Sequence, residues 1–125
     1  MKKVAPFNLN LVPFKATNDK TGAFNVVNYL TCVVAVRPTK AGEITVELQH
    51  ADDLKEGSFK TLENQKAVEK LKENICKQYY FDLTGAKKYL RIVFKGLQEG
   101  DSKAIGLGDM KDNSIEDELK EETVS

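Results

Sequence analysis

Glu43-Ile44-Thr45-Val46-Glu47-Leu48-Gln49-His50 alternates without a fault: Ile44, Val46 and Leu48 fall on one side of an extended chain, Glu43, Thr45, Glu47 and Gln49 on the other. Successive side chains of a strand point to opposite faces, so a strict period of two predicts a half-buried β-strand. Lys87-Lys88-Tyr89-Leu90-Arg91-Ile92-Val93-Phe94-Lys95 repeats the pattern with Leu90, Ile92 and Phe94 inward. Together the two stretches predict one shared interior.

Other segments fit beside them. Phe24 to Arg37 is rich in β-branched and aromatic residues, and Pro38 closes it. Its near-continuous run Leu30-Thr31-Cys32-Val33-Val34-Ala35-Val36 suits a strand covered on both faces. Phe59 to Leu62, Tyr79 to Leu83 and Lys103 to Gly108 read as shorter strands, the last with glycines that let another backbone approach. Turn formers separate them at Lys40-Ala41-Gly42, Ala51 to Gly57, Thr84-Gly85-Ala86 and Gly96 to Asp101. Ala67, Val68, Leu71 and Ile75 recur at helical spacing, which favours a short helix over about residues 64–75 against an irregular excursion. Many short strands without a βαβ rhythm predict a mainly β fold, an antiparallel β-sandwich with at most one short helix.

The flanks divide the chain into an extended N-terminal arm, residues 1–22, a sandwich domain, residues 23–109, and an acidic tail, residues 110–125. Phe7 to Phe14 alternates at first, and Pro13, lacking an N–H, keeps such a strand at an edge. Phe7, Leu9, Leu11 and Phe14 are too apolar for a free arm, so they are candidate contacts with a neighbouring chain. The tail from Asp112 to Ser125 carries six acids against Lys120, a balance of −5. Of 19 basic and 19 acidic residues, 18 and 13 therefore remain in residues 1–111, a balance of +5. Ile115 and Leu119, four apart, offer one helical turn to a groove, and docking on a neighbouring copy is expected.

Length and composition narrow the function. At 125 residues the chain fits one domain with a modest core and needs no disulfide staples. No apolar run approaches the ~18 residues of a membrane helix. The start, Met-Lys-Lys-Val-Ala-Pro, has no apolar run after its cations, which predicts no secretory signal and synthesis in a cytosol. Cys32 and Cys76 are expected to be reduced, Cys32 as a small hydrophobe. Two Cys and the single His50 supply too few ligands for a zinc site. His50-x-Asp52-Asp53 stands at a strand exit, where acids cap turns. The tail lacks the spacing and central Gly of a calcium loop, and the glycine-bearing turns do not extend to a phosphate-binding signature. No catalytic group, metal or cofactor is expected. Lys77-Gln78-Tyr79-Tyr80 and Lys87-Lys88-Tyr89 mix aromatic and basic residues, but the basic excess is spread out, which argues against nucleic acid.

Three stretches in order carry a resemblance: Asn28 to Arg37; Gly42 to Asp53 continuing to Gly57-Ser58-Phe59-Lys60-Thr61-Leu62; and Tyr80 to Val93. Within them stand Leu48-Gln49-His50-Ala51-Asp52-Asp53, Gly57-Ser58-Phe59 and Asp82-Leu83-Thr84-Gly85-Ala86-Lys87-Lys88-Tyr89-Leu90-Arg91. This resembles small virion structural proteins of tailed bacteriophages, of the head decoration or auxiliary capsid type. His50-Ala51 departs from the serine-containing step of that group, and residues 64–78 are longer than its loop. The resemblance implies a non-enzymatic β-sandwich made in the bacterial host cytoplasm and incorporated in the virion. Its implied partners are the major capsid protein or other virion proteins, with self-association in the particle and no membrane. A neck or tail component, a free Ig-like or carbohydrate-binding module, and a regulatory phage factor are the alternatives; the absence of Trp weighs against sugar binding.

Overall fold

A computed structural model describes residues 8–11, 18–97, 101–108 and 121–125. The strands are β1 (Asn8–Leu11), β2 (Asn18–Lys20), β3 (Ala23–Asn25), β4 (Thr31–Arg37), β5 (Gly42–Ala51), β6 (Lys60–Leu71), β7 (Lys77–Asp82), β8 (Tyr89–Lys95), β9 (Ser102–Gly108) and β10 (Glu121–Glu122). One sheet has the order β1-β9-β4-β7, the other β10-β3-β8-β5-β6, with β2 also on β8. Every pairing is antiparallel. The expected mainly β antiparallel sandwich is the observed architecture.

The two alternating stretches place it. Ile44, Val46 and Leu48 of β5 and Leu90, Ile92 and Phe94 of β8 are buried, and they share one cluster with Cys32, Val34, Val36, Phe81, Ile105 and Leu107 of the facing sheet. Burying such side chains stabilises the fold by about 1.5–3 kcal/mol each. Past β8 the chain turns sharply at Gly96, whose φ is +85°. A Cβ there would stand 2.2 Å from the Glu43 carbonyl oxygen, so the position requires glycine.

Three expectations are corrected. The run from Phe24 to Arg37 is two strands in different sheets. Asn25 breaks it, its side-chain oxygen accepting the Val27 N–H at 3.1 Å, and Tyr29 N–H closes the next turn on the Val26 carbonyl. Residues 64–75 form no helix: Lys60–Leu71 is the longest strand, paired along β5. Leu62 is buried before the bulge, and past it the half-buried or buried positions are Gln65, Ala67, Glu69 and Leu71, a period of two hidden because two of these four are polar. Gln65 accepts the Asp82 N–H, and Glu69 accepts the Tyr79 hydroxyl and pairs with Lys77 at 3.5 Å, so both polar groups are satisfied against β7. Residues 62–65 stand opposite Leu48 alone, a bulge in which Asn64 takes φ 65°. The sequence's "helical" spacing came from Val68, which faces solvent.

The third correction concerns the flanks. Within the expected arm, β1 forms the edge of the four-stranded sheet by pairing with β9, as an edge strand should, and β2 pairs with β8. Within the expected tail, β10 pairs with β3 of the same chain. The sandwich therefore takes strands from both flanks as well as from residues 23–109.

Candidate functional site

The motif residues of β5, β8 and the loop between β5 and β6 meet on the outer face of the six-stranded sheet. Alternation turns Leu90 and Ile92 inward and Arg91 outward, yet Arg91 is buried. The loop after β5 folds over it through a single 3-10 turn, Glu56–Ser58. Arg91 Nε donates to Gln49 Oε1 at 2.8 Å, its Nη1 pairs with the Glu56 carboxylate, and the guanidinium lies 4.5 Å above the Phe59 ring. A planar guanidinium suits this stacked, forked arrangement. Lys20 pairs with the other Glu56 oxygen at 3.1 Å. Arg91 first, then Lys20, holds the Glu56 carboxyl well below its ordinary value of 4.5, to about 2. Gln49, Phe59 and Arg91 thus act as a clasp that fixes the loop on the sheet.

Nearby groups serve turns. Asp53 accepts the Lys55 N–H and a hydrogen bond from Ser58, which lower its pKa; Asp82 does the same at the Thr84 N–H. His50 Nδ1 accepts the Lys87 N–H at 3.1 Å. Partial burial, then the Lys87 charge, lowers the His50 pKa against the opposing pull of Asp52. Cys32 is buried, which pushes its thiol up to about 12, while Cys76 is exposed; neither is in a disulfide. Among the described residues no group of three or more His, Cys, Asp or Glu is disposed to hold a metal ion. None of their buried side-chain nitrogens or oxygens lacks a hydrogen-bond partner.

The outer face of the four-stranded sheet is different in kind. Its register aligns two rows across the strands: Leu9, Gly106, Val33 and Tyr80, and beside it Leu11, Ala104, Ala35 and Gln78. Cys32, Val34 and Val36 fill the core, so Val33 and Ala35 turn to the other face, where Val33 and Gly106 are buried and Ala35 and Ala104 half-buried. Gly106, Ala104 and Ala35 keep the face flat, and Tyr80 stands at its margin 66% exposed, its hydroxyl donating to Gln78 Oε1. The face is thus largely covered, with the Tyr80 ring exposed at its margin.

Of the residues expected at an interface, Leu9 and Leu11 occupy register positions in these rows. Phe7, Phe14, Ile115 and Leu119 lie outside the described residues. Val33, Ala35, Tyr80, Ala104 and Gly106, which the sequence does not single out, share those rows. Only the pairing of distant strands brings them together; the available signal was the run of small residues at Ala104-x-Gly106 and one tyrosine too many for the inward side of β7.

No family model and no curated protein matches the sequence. Among solved structures, the crystal structure of PirA aligns over 82% of this chain and 94% of that one, with 12% sequence identity and a TM-score of 0.48.

Proposed function

We propose that this chain is a non-enzymatic structural protein of a tailed-bacteriophage virion, a head decoration or auxiliary capsid protein that binds the major capsid protein. The observation that carries the reading is the Tyr80 ring, 66% exposed on the edge strand β7, beside the half-buried Ala35 and Ala104. The sequence resemblance supplies the class of partner, and its motif residues build the clasp that stiffens the opposite sheet. One rigid face and one contact face are what a many-copy shell component needs. The protein would be made in the host cytoplasm and held in the particle by this contact.

The test uses particles produced without the chain, to which purified protein is added before sedimentation. Wild type should co-sediment at a fixed ratio to the major capsid protein. Tyr80→Ala should weaken that binding about 30-fold, the equivalent of a hot-spot loss of roughly 2 kcal/mol. Val68→Ala, a change on the other sheet, should bind normally. Mass spectrometry that finds the chain missing from natural virions would remove the proposal.

A further inference from the structure

Glu121 to Ser125 lie in a groove that distant parts of the chain build. One wall is β3, where Glu121 and Glu122 pair with Phe24 and Ala23. Beside it, the Gly22 N–H donates to Glu121 Oε2 at 2.7 Å. Gly22 also makes the room: a Cβ there would stand 2.4 Å from the Glu122 carbonyl oxygen. The opposite wall is the loop after β5. Ser125 N–H donates to the Leu54 carbonyl at 2.9 Å, and the Ser125 oxygen accepts the Glu56 N–H at 2.8 Å. Between the walls Val124 packs on the cluster Ala23, Ala51 and Phe59. The groove is therefore shaped for a short extended segment, read by backbone hydrogen bonds, one carboxylate and one apolar side chain.

We propose that this groove exchanges its strand between copies, so that in concentrated or assembled protein Glu121–Ser125 of one chain seat in the groove of the next. The occupant is a second copy of this chain because its segment fits identically: every contact made within one chain is remade between two. Such exchange of identical elements is a low-cost route to association. The connection from Gly108 to Glu121 contains residues 109–120. Twelve residues reach at most about 40 Å when extended. A compact domain of this length has a radius of gyration of about 14 Å, hence a diameter of roughly 35 Å. The connection can thus reach a neighbour's groove. Charge favours the encounter, since residues 112–125 carry a balance of −5 and residues 1–111 one of +5. Each copy then gives one strand and receives one, a head-to-tail contact that closes into rings or runs on as chains. The exchange is read on purified protein and stands apart from the virion assignment.

Ser125 bonds the carbonyl before Lys55 and the N–H after it. This is the pattern of a parallel pair, at a strand spacing of about 4.8 Å, within the range a disulfide spans. In a Cys76→Ser background, Lys55→Cys and Ser125→Cys are made as separate proteins, one carrying a size tag. They are mixed from micromolar to about millimolar concentration and oxidised. The expected product is the mixed dimer linking positions 55 and 125, rising with concentration and at least tenfold above either symmetric dimer. Adding Gly22→Ala should abolish it. A doubly substituted chain at high dilution should close its own disulfide, which shows that the strand seats as described. Mixed dimers no more abundant than symmetric ones at every concentration would overturn the exchange. So would a doubly substituted chain that closes no disulfide.

Discussion

Arg91 is a charged residue on an outward position of β8, and its burial follows from the three groups that meet it. Gln49 takes Nε, Glu56 takes Nη1, and the Phe59 ring covers the flat face of the guanidinium. The pairing leaves a pH signature. The Glu56 carboxyl is held at about 2 in the folded chain against an ordinary 4.5, so the folded state favours its charged form. Its contribution is fully present above 4.5 and is lost as pH falls through the interval down to about 2. Glu56→Gln removes the contribution at neutral pH. Urea denaturation at a series of pH values should therefore show wild type more stable than Glu56→Gln above pH 4.5, the gap closing towards pH 2. Glu56 is 53% exposed, so water screens the pair and the gap is modest. A gap that does not change with pH would mean that Glu56 acts through packing and not through its charge.

At the scale of elements, β6 separates period from composition. If residues 64–75 were a helix, Val68 and Leu71 would share its apolar face and both would matter. In the strand they point apart, Leu71 buried and Val68 54% exposed. Leu71→Ala should cost an amount in the lower part of the ~2–5 kcal/mol range for buried leucines. Val68→Ala should change stability by no more than about 0.5 kcal/mol. Equal losses in chemical denaturation would contradict the strand. The comparison also shows where sequence is legible. β5 and β8 could be read because each inward position is apolar. β6 could not, because Gln65 and Glu69 face inward and are satisfied by β7, a partner that local pattern does not reveal. The long run before Pro38 hid its break because Asn25 acts through a hydrogen bond to its own backbone. For the outer face of the four-stranded sheet the same limit holds. Leu9 and Leu11 could be singled out as apolar residues near a proline, but that Tyr80 points out and Tyr79 in depends on register with β4.

Across the whole molecule, the two flanks finish what the middle begins. β1 extends one sheet, β2 and β10 extend the other, and the last residues bridge β3 to the loop that carries Glu56. The bonds that seat the last five residues differ in kind, and hydrogen exchange can separate them. Gly22 N–H is held by an exposed side-chain carboxylate, Glu121, and Glu56 N–H by the main-chain oxygen of Ser125, next to the apolar seat of Val124. Ile92 N–H is held by Thr21 Oγ1 in a buried site that the last residues do not form. Removing residues 121–125 should therefore release protection at Gly22 and Glu56 and leave Ile92 protected. In the intact chain, raising salt from 0.01 to 1 M shortens the screening length from about 30 Å to about 3 Å. Attraction between the acidic segment and the basic body weakens accordingly, while the apolar seat of Val124 on Ala23, Ala51 and Phe59 does not. Gly22 should lose protection with salt and Glu56 should keep most of its own. If both amides lose protection in step, charge holds the whole segment. If neither responds, the backbone bonds and Val124 hold it, and the opposite charge balances of tail and body play no part in docking.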